Sequence, residues 1–179
     1  SIRIIKNDAT SGRPMEGVTF TASLNGEVVA EKTTDASGVA LFEGLVWGNY
    51  TIAEKDVPQG YVAMTPISVN ITRTNADPLE PIEERVTNVR ETGTVEIHKV
   101  DSITGEPVSG ATFGLWGNFG AYGTYVKQAT TDANGVARFT GVLWGKDYSI
   151  KERSNEGYVV SDAVTRFNLT RDQITEPYV

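Results

Sequence analysis

Two stretches of this chain repeat nearly the same text, and both are written with a period of two. Lys6, Asp8, Gly12, Gly17 and Phe20 recur as Lys99, Asp101, Gly105, Gly110 and Phe113. Thr33-Thr-Asp-Ala-Ser-Gly-Val-Ala-Leu-Phe42 recurs as Thr130-Thr-Asp-Ala-Asn-Gly-Val-Ala-Arg-Phe139, after an insertion at residues 116–127 in the second copy. Self-similarity over most of a chain marks duplicated domains, and two copies alone fit a tandem pair rather than a solenoid. The domains are expected at residues 1–90 and 91–179, with Val89-Arg-Glu-Thr-Gly93 as a short linker.

Val18-Thr-Phe-Thr-Ala, Tyr50-Thr-Ile and Ile67-Ser-Val-Asn-Ile-Thr alternate or are rich in β-branched residues, the signature of half-buried strands. Thr10-Ser-Gly, Asn25-Gly, Asp35-Ala-Ser-Gly and Pro58-Gln-Gly punctuate them as turns. No window combines helical spacing with caps. The fold class this predicts is all-β: two tandem antiparallel β-sandwiches of immunoglobulin-like type.

Domains of about 90 residues are near the small end of what one core can stabilise, and this chain has no cysteine for a disulfide. Its net charge of −7 is shared almost evenly between the halves. Without a run of Lys or Arg there is no phosphate footprint, so nucleic acid is not an expected partner. No apolar stretch has bilayer length and no signal peptide is present, so no membrane partner is expected either. A chain opening on Ser1 rather than Met reads as a piece of something longer. No Ser/His/Asp, Cys/His or metal-ligand set stands out, so neither an enzyme acting on an external substrate nor a cofactor is expected.

Charges nevertheless stand where apolar residues belong. In a strand, alternate side chains share a face. Ile2, Ile4 and Lys6 therefore point one way, as do Val95, Ile97 and Lys99. Glu54 falls in line with Tyr50 and Ile52, and Glu152 with Tyr148 and Ile150. A lone buried charge is costly, so opposite charges at matching places in both copies read as a pair. Burial favours the neutral amine of a lysine, which is a nucleophile, and the neutral acid of a glutamate. Asn88 shares a face with Val86 and offers an amide electrophile. Attack by Lys6 on that amide, with Glu54 polarising its oxygen and shuttling protons, would expel ammonia and join two side chains without a cofactor. The other reading of the same residues is a buried ion pair with a hydrogen-bonded asparagine.

The stretch Tyr50-Thr-Ile-Ala-Glu54-Lys-Asp-Val-Pro58-Gln-Gly-Tyr61 resembles the E-box of Gram-positive surface proteins. With the Lys6-Asn-Asp8 opening and the Val86-Thr-Asn88 ending, the chain resembles the Cna B-type (SpaA-like pilin, prealbumin-like) domain, in both copies. The resemblance implies extracellular, cell-wall attached β-sandwiches of pili and adhesin stalks, many carrying a Lys–Asn isopeptide bond. It assigns Lys6 as nucleophile, Asn88 as electrophile and Glu54 as the catalytic group for bond formation, with Lys99 and Glu152 as the second-domain equivalents. The function it implies is a structural stalk or pilus-type segment whose partners are neighbouring domains of the same surface protein. The alternative is an adhesin module recognising host extracellular matrix or carbohydrate.

The second copy departs from the pattern. Its box, Tyr148-Ser-Ile-Lys-Glu152-Arg-Ser-Asn-Glu-Gly-Tyr158, is one residue shorter and lacks the proline. The asparagine matching Asn88 would lie past Val179, so this domain is expected to lack its last strand. Asn168 is expected to point outward between Phe167 and Leu169, as Asn70 does between Val69 and Ile71. His98 is expected on the solvent face. Asp35 and Asp132 read as turn residues rather than calcium ligands. Trp47 and Trp144, at equivalent places, are expected in the cores. Trp116, Phe119, Tyr122 and Tyr125, in the insertion, form the best candidate contact loop, with packing over their own domain as the simpler reading.

Overall fold

The computed structural model describes residues 1–77, 79–118, 124–170 and 179. The chain divides into two compact units, Ser1–Arg90 and Glu91–Val179, each a pair of sheets closed over its own core.

Unit 1 runs β1 (Ile2–Asp8), β2 (Thr19–Leu24), β3 (Glu27–Thr33), β4 (Val39–Phe42), β5 (Gly48–Glu54), β6 (Ile67–Ile71) and β7 (Ile82–Asn88). One sheet has the order β4-β1-β7 and the other β3-β2-β5-β6. Alternation dictates what each sheet buries: along β1 the buried residues are Ile2, Ile4, Lys6 and Asp8. Ile2, Ile4, Phe20, Phe42, Tyr50 and Ile52 make the centre of the core, each apolar side chain contributing about 1.5–3 kcal/mol on burial.

The sheets are not wholly antiparallel. β1 pairs parallel with β7, Lys6 opposite Val86 and Asp8 opposite Asn88. The first and last strands of the unit therefore run the same way, so the chain enters at one end of the pair and leaves at the other. Periodicity in the sequence shows which face a strand buries but not which strand lies beside it, and the parallel pairing went unread for that reason.

Unit 2 runs β8 (Thr92–His98), β9 (Thr112–Asn118), β10 (Thr124–Thr130), β11 (Val136–Leu143), β12 (Gly145–Ser154) and β13 (Val164–Leu169). Its sheets are β11-β8 and β10-β9-β12-β13. Val95, Leu115, Phe139, Tyr148, Ile150 and Leu169 fill its core. Among the described residues, no strand lies against β8 as β7 lies against β1.

The repeated Asp-x-x-Gly turn shapes the chain in the same way in both units. Asp35 Oδ1 accepts from the amides of Ser37 (2.8 Å) and Val39 (2.9 Å), and Asp132 Oδ1 from those of Asn134 (2.9 Å) and Val136 (3.0 Å). The glycine that ends each turn, Gly38 or Gly135, has φ of +74° and packs on the backbone of the critical lysine. Its carbonyl accepts from the amide of Lys6 or Lys99 at 2.8 Å, and a Cβ there would sit 2.4 Å from that lysine's own carbonyl oxygen. Only glycine fits such a left-handed, closely approached position.

One core expectation is corrected. Trp47 is 62% exposed, and Trp144 is half-buried. Three residues after Trp47, Tyr50 takes the core place, and its hydroxyl donates to Val46 O at 2.9 Å, which ties the loop across the end of the sandwich. Tyr148 does the same with Leu143 O at 2.6 Å.

Candidate functional site

Strands from both sheets of unit 1 deliver the site. β1 and β7 bring Lys6 and Asn88 together on the inner face of one sheet, and β5 brings Glu54 across the core from the other. Lys6 and Asn88 are 0% and 1% exposed, and the Glu54 side chain is 2% exposed. Lys6 Nζ donates to Asn88 Oδ1 and lies 3.0 Å from Glu54 Oε1. Asn88 Nδ2 donates to that same Glu54 oxygen at 2.7 Å. Glu54 Oε2 is held by the amide of Met64 at 3.2 Å. One carboxylate oxygen thus bridges the amine and the nitrogen of the amide.

Burial pushes the Lys6 amine below the usual lysine range, against the hydrogen bond and charge of Glu54, which pull it upward. The ring of Phe20, 5.8 Å from Nζ, is part of the wall that excludes water. The amine therefore leans toward its nucleophilic form next to an amide carbonyl.

The carboxylate sits on the amide nitrogen, not on the carbonyl oxygen where the sequence pattern led us to expect it. Lys6 Nζ donates to that oxygen instead.

Among the described residues, unit 2 brings Lys99 and Glu152 together, with a buried asparagine, Asn155, on the glutamate and none on the lysine. Lys99 Nζ lies 3.4 Å from Glu152 Oε2, with the lysine side chain 24% exposed and the glutamate 2%. The Glu152 carboxylate is held by Asn155 Nδ2 (3.2 Å) and the amide of Ser161 (2.9 Å). Lys99 and Glu152 open into a groove lined also by Ile97, Phe113, Ile150 and Thr165. Asn168 is exposed and its Oδ1 accepts from the amide of Asp147 at 3.1 Å. Asn70 and His98 are exposed too.

Of the candidate contact loop, Trp116 is half-buried and stacks under the Arg153 guanidinium at 5.7 Å. Phe119 and Tyr122 lie outside the described residues, and Tyr125 is in β10.

Three residues beside the site were not recognised from sequence as members of it: Asp8, Tyr61 and Arg90. The signal was present. Asp8 and Arg90 each follow a site residue by two positions, so each shares its strand face.

A family model described as SpaA, prealbumin-like fold domain, matches residues 1–82 and again 93–178. No curated protein matches the chain. Among solved structures the chain is similar to the Bacillus anthracis TIE protein, with a TM-score of 0.69 and 24% identity over 99% of this chain and 32% of that one. It is also similar to a streptococcal ancillary pilin (TM-score 0.44, 21% identity, 97% of this chain and 59% of that one). The shaft pilin SpaA from Lactobacillus rhamnosus GG follows at a TM-score of 0.42 and 18% identity, over 99% of this chain and 94% of that one. The chain spans about a third of the TIE protein and 59% of the ancillary pilin. With both units matched almost end to end, this chain belongs to the SpaA family of prealbumin-like fold domains.

Proposed function

We propose that the chain is a structural segment of a Gram-positive surface stalk or pilus, outside the cell, and that its first unit seals itself with a Lys6–Asn88 isopeptide bond. The single observation that carries this is the fully buried contact of amine, amide and carboxylate on the first and last strands. Membership of the SpaA family supports the surface role.

The bond-forming step balances with these three side chains alone. The neutral Lys6 amine attacks Asn88 Cγ, forming the C–N bond. Glu54 Oε1, within 3.0 Å of Nζ and 2.7 Å of Nδ2, takes the proton released from Nζ and passes it to Nδ2. The Cγ–Nδ2 bond breaks, ammonia leaves and the carboxylate is regenerated. Fixing both partners in a dry site supplies the large effective concentration that such an unactivated amide requires.

The value of the bond follows from topology. Lys6 and Asn88 are 82 residues apart in sequence but next to each other on parallel strands at the unit's entry and exit. Tension entering along β1 leaves along β7 through one covalent link, and the sandwich between them carries none. Pulling on single molecules tests this. Unit 1 is expected to show no unfolding step, whereas an open chain of those 82 residues would lengthen by about 280 Å. A step of that length from unit 1 would refute the proposal. Unit 2 pairs Lys99 with Glu152, and its buried Asn155 amide bonds the glutamate but not the lysine. With no amide on the Lys99 amine among the described residues, it serves as the internal reference that is expected to unfold.

A further inference from the structure

Beyond the reactive trio, the same strand faces carry a second polar cluster. Asp8 is 2% exposed. Its Oδ1 accepts from the amides of Thr10 and Ser11, both at 2.8 Å. Its Oδ2 accepts from the Tyr61 hydroxyl at 2.5 Å and from Arg90 Nε at 2.7 Å. The Arg90 guanidinium also lies over the Tyr61 ring at 5.6 Å. The backbone joins in: Tyr61 and Arg90 form an isolated antiparallel bridge, and Val62 N donates to Val89 O at 2.9 Å.

This cluster repeats the geometry of the reactive pair. Lys6 reaches Asn88 and Asp8 reaches Arg90, each across 82 residues of sequence. They are successive side-chain rungs on one face, each running diagonally from a β1 residue to the residue two past its backbone partner, with Arg90 lying just beyond the end of β7. A one-residue slip of β7 would turn Asn88 to the wrong face, and a two-residue slip would carry it about 7 Å along the strand. The Asp8–Arg90 rung forbids both.

In unit 2, where no strand lies on that side of β8 among the described residues, the turn of the cluster recurs. Asp101 Oδ1 accepts from the amides of Ile103 (2.8 Å) and Thr104 (2.9 Å), as Asp8 does from its own turn. Tyr158, the counterpart of Tyr61, is the least of the groups that hold the Asp101 carboxyl below its ordinary value. There Asp101 is only half-buried and Tyr158 is 47% exposed. In unit 1, Arg90, two residues past the end of β7, closes over Asp8 and Tyr61, and Asp8 is buried there.

We infer that Asp8, Tyr61 and Arg90 are positioning residues that lock β7 in the register at which the Asn88 amide meets the Lys6 amine. The inference rests on the proposed isopeptide reaction. The Asp–Tyr pair, Asp8 at the end of β1 and Tyr61 in the loop after β5, waits as the acceptor. Arg90 arrives with the last strand, and its capture holds Asn88 against Lys6 until the covalent bond replaces the clamp. The charge states suit such a clamp. Burial pushes the Asp8 carboxyl up, but Tyr61, the Ser11 amide and the Arg90 charge outweigh it and keep it below the ordinary carboxylate value. Tyr61 is pushed up to about 12, first by burial and then by Asp8, so its hydroxyl stays a donor.

The test follows ammonia loss over time by intact mass, after the full 179-residue chain, made by chemical synthesis and kept in denaturant so that it is still linear, is allowed to fold. Folding is read separately by tryptophan fluorescence and circular dichroism. Arg90→Gln is expected to fold yet cross-link about tenfold or more slowly, since a small misplacement of reacting groups is costly. Arg90→Lys, which keeps a charge for Asp8, is expected to recover most of the rate. A fully folded Arg90→Gln chain that cross-links at the parental rate overturns the inference and leaves the isopeptide bond standing. Should Arg90→Gln not fold, Tyr61→Phe removes only the hydroxyl, and a parental rate in that variant is equally fatal. A parent chain that folds and never loses ammonia defeats the underlying reaction instead, a result no clamp variant can produce.

Discussion

Glu54→Ala is expected to abolish the Lys6–Asn88 bond and to lower the melting temperature of unit 1 by about 20 °C or more. Closing a loop of 82 residues stabilises by about 4–5 kcal/mol on a chain-entropy estimate. Each kcal/mol moves the melting point of a domain this size by about 4–8 °C. The alanine also removes the carboxylate that partners a fully buried amine, and breaking a buried pair costs about 3–5 kcal/mol. Glu54→Gln separates the two effects. It keeps a side chain of the same shape at Met64 N and Asn88 Nδ2 but cannot shuttle a proton, so it is expected to fold, to stay unbonded and to melt between the parent and Glu54→Ala. Intact mass and thermal denaturation read both variants. Cross-linking of Glu54→Gln at the parental rate would remove Glu54 from the chemistry.

Phe20→Ala is expected to lose about 3–5 kcal/mol of stability, the ordinary cost of removing a buried ring, and also to slow bond formation. The ring is fully buried and lies 5.8 Å from the amine. Burial is the leading cause of the lowered Lys6 pKa, so letting water reach Nζ returns the amine toward its charged, unreactive form. One pKa unit corresponds to about a tenfold loss of neutral amine. Phe42→Ala is the control. Phe42 is equally buried but lies opposite Ile2, at the other end of β1. It should cost similar stability while the bond still forms at close to the parental rate once the unit has folded. Equal slowing in both variants would show that only core integrity matters, and not the dryness of the amine.

The trio Lys6, Glu54 and Asn88 was legible in the sequence because strand alternation fixes facing, and the duplication showed that the misplaced charges recur. Facing does not fix neighbours. The parallel β1–β7 pairing decides which residues meet along the ladder, and no local pattern encodes it. Asp8 and Tyr61 were visible as repeated residues, each with a counterpart in the second copy, yet their meeting with Arg90 depends on that pairing. The orientation of the Asn88 amide was not legible for a similar reason, since it is set by where Lys6 Nζ lands. Trp47 was misread because equivalence between copies shows a shared environment without showing burial. The nearby Tyr50 and Tyr148 are what the two cores keep.

The most direct test of the central claim is intact mass followed by tandem mass spectrometry of the unmodified chain. The account predicts a mass lower than that of the sequence by one ammonia, a branched peptide joining Lys6 to Asn88, and a primary amine retained on Lys99. A mass equal to that of the sequence, or a bond from Lys6 to any residue other than Asn88, would contradict it.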